Sequence, residues 1–355
     1  MKSKNNFKFY STKTLVILTV IILSVLNVES SYSQNYRNAK AYINDFGKNE
    51  LFVKESLMEY STSIIDASPQ ERIEHTMERI YTKLEDINSN LMKNDIGLFG
   101  DTDLRTAFLK LNSKTVTLLK NKALKLNDYE IQSALNYPEI FKNFSYKELQ
   151  ISNYYSEILA YENAKREFGL KYNVLIRAYN KKNVFEYNAY ENLIFYKLNV
   201  LDDKLTDLLK GSDISKVNEC INYLVSKGQD GYLKTSLYKN DFTDTSLNDA
   251  NIEFINFMLK QKQEIIPLYE DYLRATADLQ KIKSKFVENN ELVSVDEYNL
   301  EVKKFNKSKN TFFDTVYENQ IKKKDLINRW YITNSDFLKH NIEFENLYER
   351  FANTN

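Results

Sequence analysis

The residues able to do chemistry are few. Nitrogen and sulfur ligands are limited to His75, His340 and Cys220 in a chain of 355 residues. Zinc sites are built largely on such ligands, and no H-E-x-x-H run is present. Neither histidine has a glutamate three residues before it, so the Glu-x-x-His pairs of a di-iron bundle are missing. No catalytic set, metal site or cofactor is expected. His75 lies two residues past Ile73, on the face opposite an apolar stripe, and reads as solvent-exposed. Cys220 shares a helical face with Val217, Ile221 and Leu224. It reads as a buried, inert thiol, with pairing between chains as the other use of a lone cysteine.

Gly97-Leu98-Phe99-Gly100 is too short for a phosphate loop and lacks the following Lys-Ser/Thr. Asp101-Thr102-Asp103 lacks the glycine and distal glutamate of a calcium loop. It reads instead as a helix start, with Asp101 at the N-cap and acids at the positive end of the helix dipole. Lys165 and Lys309 interrupt otherwise apolar stripes and are the interior polar candidates. They either line a cavity that binds an acid, or snorkel to a bundle edge and fix register, the second reading being preferred. The 26 tyrosines and 21 phenylalanines serve as core-edge residues or as an interaction surface.

Helices must position all of these. Seven glycines and three prolines are too few for the turns of a β-rich chain. An internal repeat at one common offset organises the pattern. Ser68-Pro69-Gln70-Glu71 is a helix start with Ser at the N-cap and Glu at N3, and Ser212 falls at the same place in the second copy. The stripe Ile73, Met77, Ile80 returns as Val217, Ile221, Leu224. Phe108, Leu111, Thr115 return as Ile252, Ile255, Leu259. Tyr154, Ile158, Tyr161, Lys165, Phe168 map onto Tyr298, Val302, Phe305, Lys309, Phe312. Ser294 to Glu297 forms another capping box.

The expected fold is all-α, with two tandem four-helix-bundle-like repeats at residues 34–180 and 181–324. A C-terminal helical tail at 325–355 caps the second. No glycine or proline separates Gly169 from Gly211, nor follows Pro267. The last helix of the first repeat is therefore free to run on into the second.

Residues 1–33 read as a secretory signal. Lys2, Lys4, Lys8 and Lys13 precede the apolar run Thr14 to Val28, and Ser31-Tyr32-Ser33 supplies small residues for cleavage. No cysteine stands at the site, so the protein is not expected to be a lipoprotein. Removal takes four lysines and one acid from balanced totals of 49 and 49, leaving a net charge near −3. That disfavours nucleic acid as a partner. No membrane span is expected in the mature chain.

The stretch from Gly100-Asp101-Thr102-Asp103-Leu104-Arg105 through Phe168-Gly169-Leu170-Lys171-Tyr172-Asn173 resembles a family of uncharacterised bacterial surface proteins, known from spirochaetes and Bacteroidetes-type organisms. The second copy departs from it at Phe312 to Tyr317. The resemblance implies a helical bundle at the envelope or surface and transfers no catalytic residue. The expected function is a non-enzymatic, exported envelope or surface module that binds a protein or envelope component. The other reading is a periplasmic or secreted ligand-binding or enzymatic bundle with a polar interior.

Overall fold

The computed structural model describes residue 36 and residues 38–65, 70–121, 129–176, 184–288 and 293–343. The signal segment, Ser68 and Pro69 lie outside the described residues. The protein is all-α. Among the described residues there are nine helices and no strand, only an isolated bridge between Leu98 and Asp101. The helices are α1 (Ala39–Ile65), α2 (Gln70–Asn94), α3 (Asp103–Lys120), α4 (Tyr129–Ala134), α5 (Tyr137–Tyr172), α6 (Val184–Leu208), α7 (Ile214–Tyr238), α8 (Ser246–Glu288) and α9 (Val295–Glu343).

Cross-contacts set their directions. Asn88 on α2 meets Asn112 on α3, while Glu85 meets Lys120, so these two run antiparallel. Tyr42 of α1 packs on Phe168 of α5, and Glu50 reaches Tyr161. The first core joins Tyr42, Phe46, Phe108, Tyr161 and Phe168 from α1, α3 and α5. Met77 and Ile80 of the expected α2 stripe are buried, with Leu84 one turn on. The second core draws on α6 to α9, around Phe195, Leu224, Phe254, Met258 and Trp330.

Helix bounds echo the repeat offset at α1 with α6 and at α2 with α7. The correspondence then lapses. Unit one divides its later residues among α3, α4 and α5, whereas α8 runs unbroken for 43 residues through Pro267. Beyond Tyr272, α8 pairs with the start of α9 as a two-helix arm, its rings meeting at Tyr272 with Phe305 and at Phe286 with Tyr298. The Ser294–Glu297 capping box forms as expected, each residue's backbone N–H bonding the other's side chain.

Three expectations are corrected. No continuous helix joins the repeats: α5 ends at Tyr172 because Asn173 takes the left-handed conformation (φ 54°), and Val174 N–H donates back to Gly169 O at 2.8 Å. This is a Schellman-type ending, with asparagine in the position glycine usually fills. A Cβ on residue 169 would lie 2.7 Å from Ile176 Cδ1 and from Val174 O, so glycine is what lets the chain fold back there. Next, residues 325–343 of the expected C-terminal tail continue α9 rather than starting a separate helix, and the rest of that tail lies outside the described residues. Finally, Asp213 rather than Ser212 caps α7, its carboxylate accepting Lys216 N–H.

The bundles are joined instead by a shared neighbour. The N-terminal half of α5 carries Ile140 and Phe144 against Leu193, Tyr196 and Val200 of α6. Its C-terminal half supplies Tyr161 and Phe168 to the first core. Helix α6 is surrounded, and every residue from Leu193 to Asp202 is buried. Buried charges need partners, and here Lys197 is tied to Glu148 and Asp202 to Lys323. No helix among the described residues is long and apolar enough to cross a membrane.

Candidate functional site

The first bundle ends in a small, hydrogen-bonded tip between α2 and α3. Asp95, buried just past α2, accepts Gly97 N–H on Oδ1 (2.7 Å) and the Tyr42 hydroxyl on Oδ2 (3.1 Å). The Arg105 guanidinium donates to the Asp95 carbonyl oxygen. Burial, with Asp95 beside it, raises the Tyr42 hydroxyl far above its ordinary range, so it stays a donor. Leu98 and Asp101 then exchange backbone hydrogen bonds of 3.1 and 2.9 Å, closing a two-residue turn. Phe99 and Gly100 at its centre both have positive φ, 54° and 84°. Such turns favour Asn-Gly or Gly-Gly. A phenylalanine held there carries about 1–2 kcal/mol of backbone strain.

The ring of Phe99 recovers little of that strain through burial, being 80% exposed. Its ring meets Tyr172, with ring centroids 6.3 Å apart. Met92, Ile96, Leu170 and Leu175 at the same end are also exposed. Beneath them the turn is clamped to the end of α5. Asp101 Oδ2 accepts from Lys171 Nζ (2.8 Å) and Tyr172 Oη (3.0 Å). Burial works to raise the Asp101 carboxyl. Lys171, the Asp103 N–H and Tyr172 outweigh it and hold the group below the usual carboxylate range. Helix α3 starts at Asp103 with Thr102 at the cap position, later than expected, although Asp101 Oδ1 still accepts Asp103 N–H.

The two candidate lysines part company. Lys165 is buried, its ammonium 3.2 Å from Glu50 Oε2 and 2.6 Å from Glu162 Oε1. Tyr161 donates to the other Glu50 oxygen at 2.6 Å. Burial, reinforced by Glu50, raises the Tyr161 hydroxyl. This closed cluster links α1 to α5. Lys309 is not interior. It is exposed on the arm, its ammonium 5.9 Å from the Phe305 ring centroid. Its stretch of α9 lies in the two-helix arm with α8, where solvent surrounds it. His75 is exposed. Cys220 is fully buried, its thiol donating to Leu201 O at 3.4 Å, and burial pushes the thiol up to about 11.

A second polar cluster lies in the other bundle and has no motif to announce it. Glu191 of α6 accepts from Thr235 (2.7 Å) and from the Asn251 side-chain amide, while Trp330 Nε1–H donates to Asn251 Oδ1 at 2.7 Å. Its one signal in the sequence is a glutamate between Tyr190 and the mostly apolar run Leu193 to Leu201, which Lys197 and Asn199 interrupt. Among the described residues no group of three or more histidines, cysteines or acids is arranged to hold a metal ion. Compared with protein-family models, curated proteins and solved structures, the chain matches none.

Proposed function

We propose that this is an exported, non-enzymatic envelope or surface protein, and that it binds a protein or envelope component through the apolar tip of its first bundle. The observation that carries the reading is Phe99, held at positive φ in a clamped turn with most of its ring in water. Local stability argues for Asn or Gly at that position. Aromatic side chains on rigid supports are the usual anchors of binding surfaces. The readings of residues 1–33 as a secretory signal and of residues 100–173 as resembling bacterial surface proteins fit the same location. The alternative, a bundle with a shared polar cavity, is less well supported, since Lys165 is neutralised by its two glutamates and Lys309 faces solvent.

The test is affinity capture from the organism's own envelope with the wild-type chain and with Phe99→Asn/Leu170→Ser, both checked for equal helicity. The expected result is a bound component held by the wild type and lost by the variant. Identical bound material on both would refute the tip as the contact.

A further inference from the structure

We propose that Glu191 is a proton switch in the second bundle: neutral, it completes the junction of α6, α7, α8 and α9, and its ionisation loosens that junction. Glu191 is fully buried, and both donors that reach its carboxyl, Thr235 Oγ1 and Asn251 Nδ2, go to Oε2. Oε1 is buried without a hydrogen-bond partner. Asn248 Oδ1, in the same cluster, is buried and partnerless as well, while its amide nitrogen is engaged by Thr235 O. Two acceptors without a donor leave the network short of a hydrogen, and a protonated carboxyl supplies one.

Among the described residues the surroundings offer no counter-charge. Tyr187 stands on the same helix, Thr235 and Tyr238 on α7, Asn248 and Asn251 on α8, and Trp330 and Asn334 on α9. Asp241, between α7 and α8, is an acid and opposes a second negative charge. Lys234, next to Thr235, is engaged by Glu148 at 2.6 Å. His340, farther along α9, acts on Asp244. Among the described residues no cation is paired with Glu191. Burial therefore dominates and pushes its carboxyl up to about 7 from 4.5, with Asn251 and Thr235 opposing the rise and Asp241 adding to it.

The direction of the linkage follows. The stabilisation is complete below the ordinary carboxyl value and is lost as pH rises through the folded value near 7, beyond which it stays lost. Asn251 transmits the change, because its amide nitrogen holds Glu191 and its oxygen holds the Trp330 indole. Trp330 is the chain's only tryptophan and stacks on Phe195 at 4.0 Å, so it reports on this junction directly.

The experiment is urea unfolding of the full chain followed by Trp330 fluorescence across the range from acid to mildly alkaline pH. The wild type is expected to lose on the order of 100-fold in folding equilibrium between about pH 5 and about pH 8. Glu191→Gln, whose amide mimics the neutral acid, is expected to be nearly flat. The variant keeps His340, Asp241 and Tyr238, so the difference between the profiles belongs to Glu191. A flat wild-type profile, or a variant with the wild-type slope, overturns the proposal. Should the variant not fold, the side-chain carboxyl ¹³C signal of Glu191 in the wild type decides. Titration near 7 supports the switch, and titration at the ordinary carboxyl value overturns it.

Discussion

Replacing Phe99 by asparagine separates what the tip does for folding from what it does for binding. The change gives the turn its preferred Asn-Gly pair and relieves most of about 1–2 kcal/mol of left-handed strain. Against this stands the lost packing, which is small because most of the Phe99 ring is in water. A phenylalanine has roughly 200 Å² to bury, so the sheltered part is on the order of 40 Å² and contributes about 1 kcal/mol. The two effects nearly cancel. Chemical denaturation followed by circular dichroism should place Phe99→Asn within about 1 kcal/mol of the wild type. An aromatic anchor removed from a binding surface typically costs about 2–4 kcal/mol, or roughly 30- to 1,000-fold in affinity. The expected variant is as stable as the wild type and much weaker in binding its captured component. A stability loss of more than about 2 kcal/mol would exceed both opposing effects, make Phe99 a structural residue and sink the reasoning. Unchanged affinity would sink it equally.

Lys165→Leu should destabilise the first bundle by about 3–5 kcal/mol, because Glu50 is left buried with only the Tyr161 hydroxyl. Lys309→Leu, at the matching position of the expected repeat, should leave the melting temperature unchanged, and calorimetry on both variants checks the contrast. Gly169→Ala drives a Cβ into the backbone oxygen of Val174 and should cost about 1–3 kcal/mol in urea titrations. Cys220 should resist a thiol-reactive disulfide reagent in the native protein and react only on unfolding, since it is buried and its thiol is raised to about 11.

Much of the local structure is legible in residue order. Met77 and Ile80 of α2, and Val217, Ile221 and Leu224 of α7, are buried where the helical period places them. His75 points to solvent and Cys220 sits in the core. The capping box at Ser294 forms. Asn136 and Glu139 make a second box at the start of α5, with Pro138 in its first turn, in the same local code. The end of α5 is harder to read. Glycine and proline are the obvious helix breakers, whereas Asn173 ends the helix by taking a left-handed conformation that asparagine tolerates but does not require.

The amino-acid order by itself determined that the chain is helical and which face of most helices turns inward, because period and caps are local properties of the backbone. It could not determine the fate of Lys165 and Lys309, which occupy the same place in matching stripes. That depends on what stands opposite: Glu50 closes over one, and solvent around the two-helix arm receives the other. Nor could it show that α6 is buried throughout from Leu193 to Asp202, or that no cation among the described residues is paired with Glu191. A charge's environment is set by residues distant in sequence, here Thr235, Asn251 and Trp330, and only the tertiary packing brings them to it.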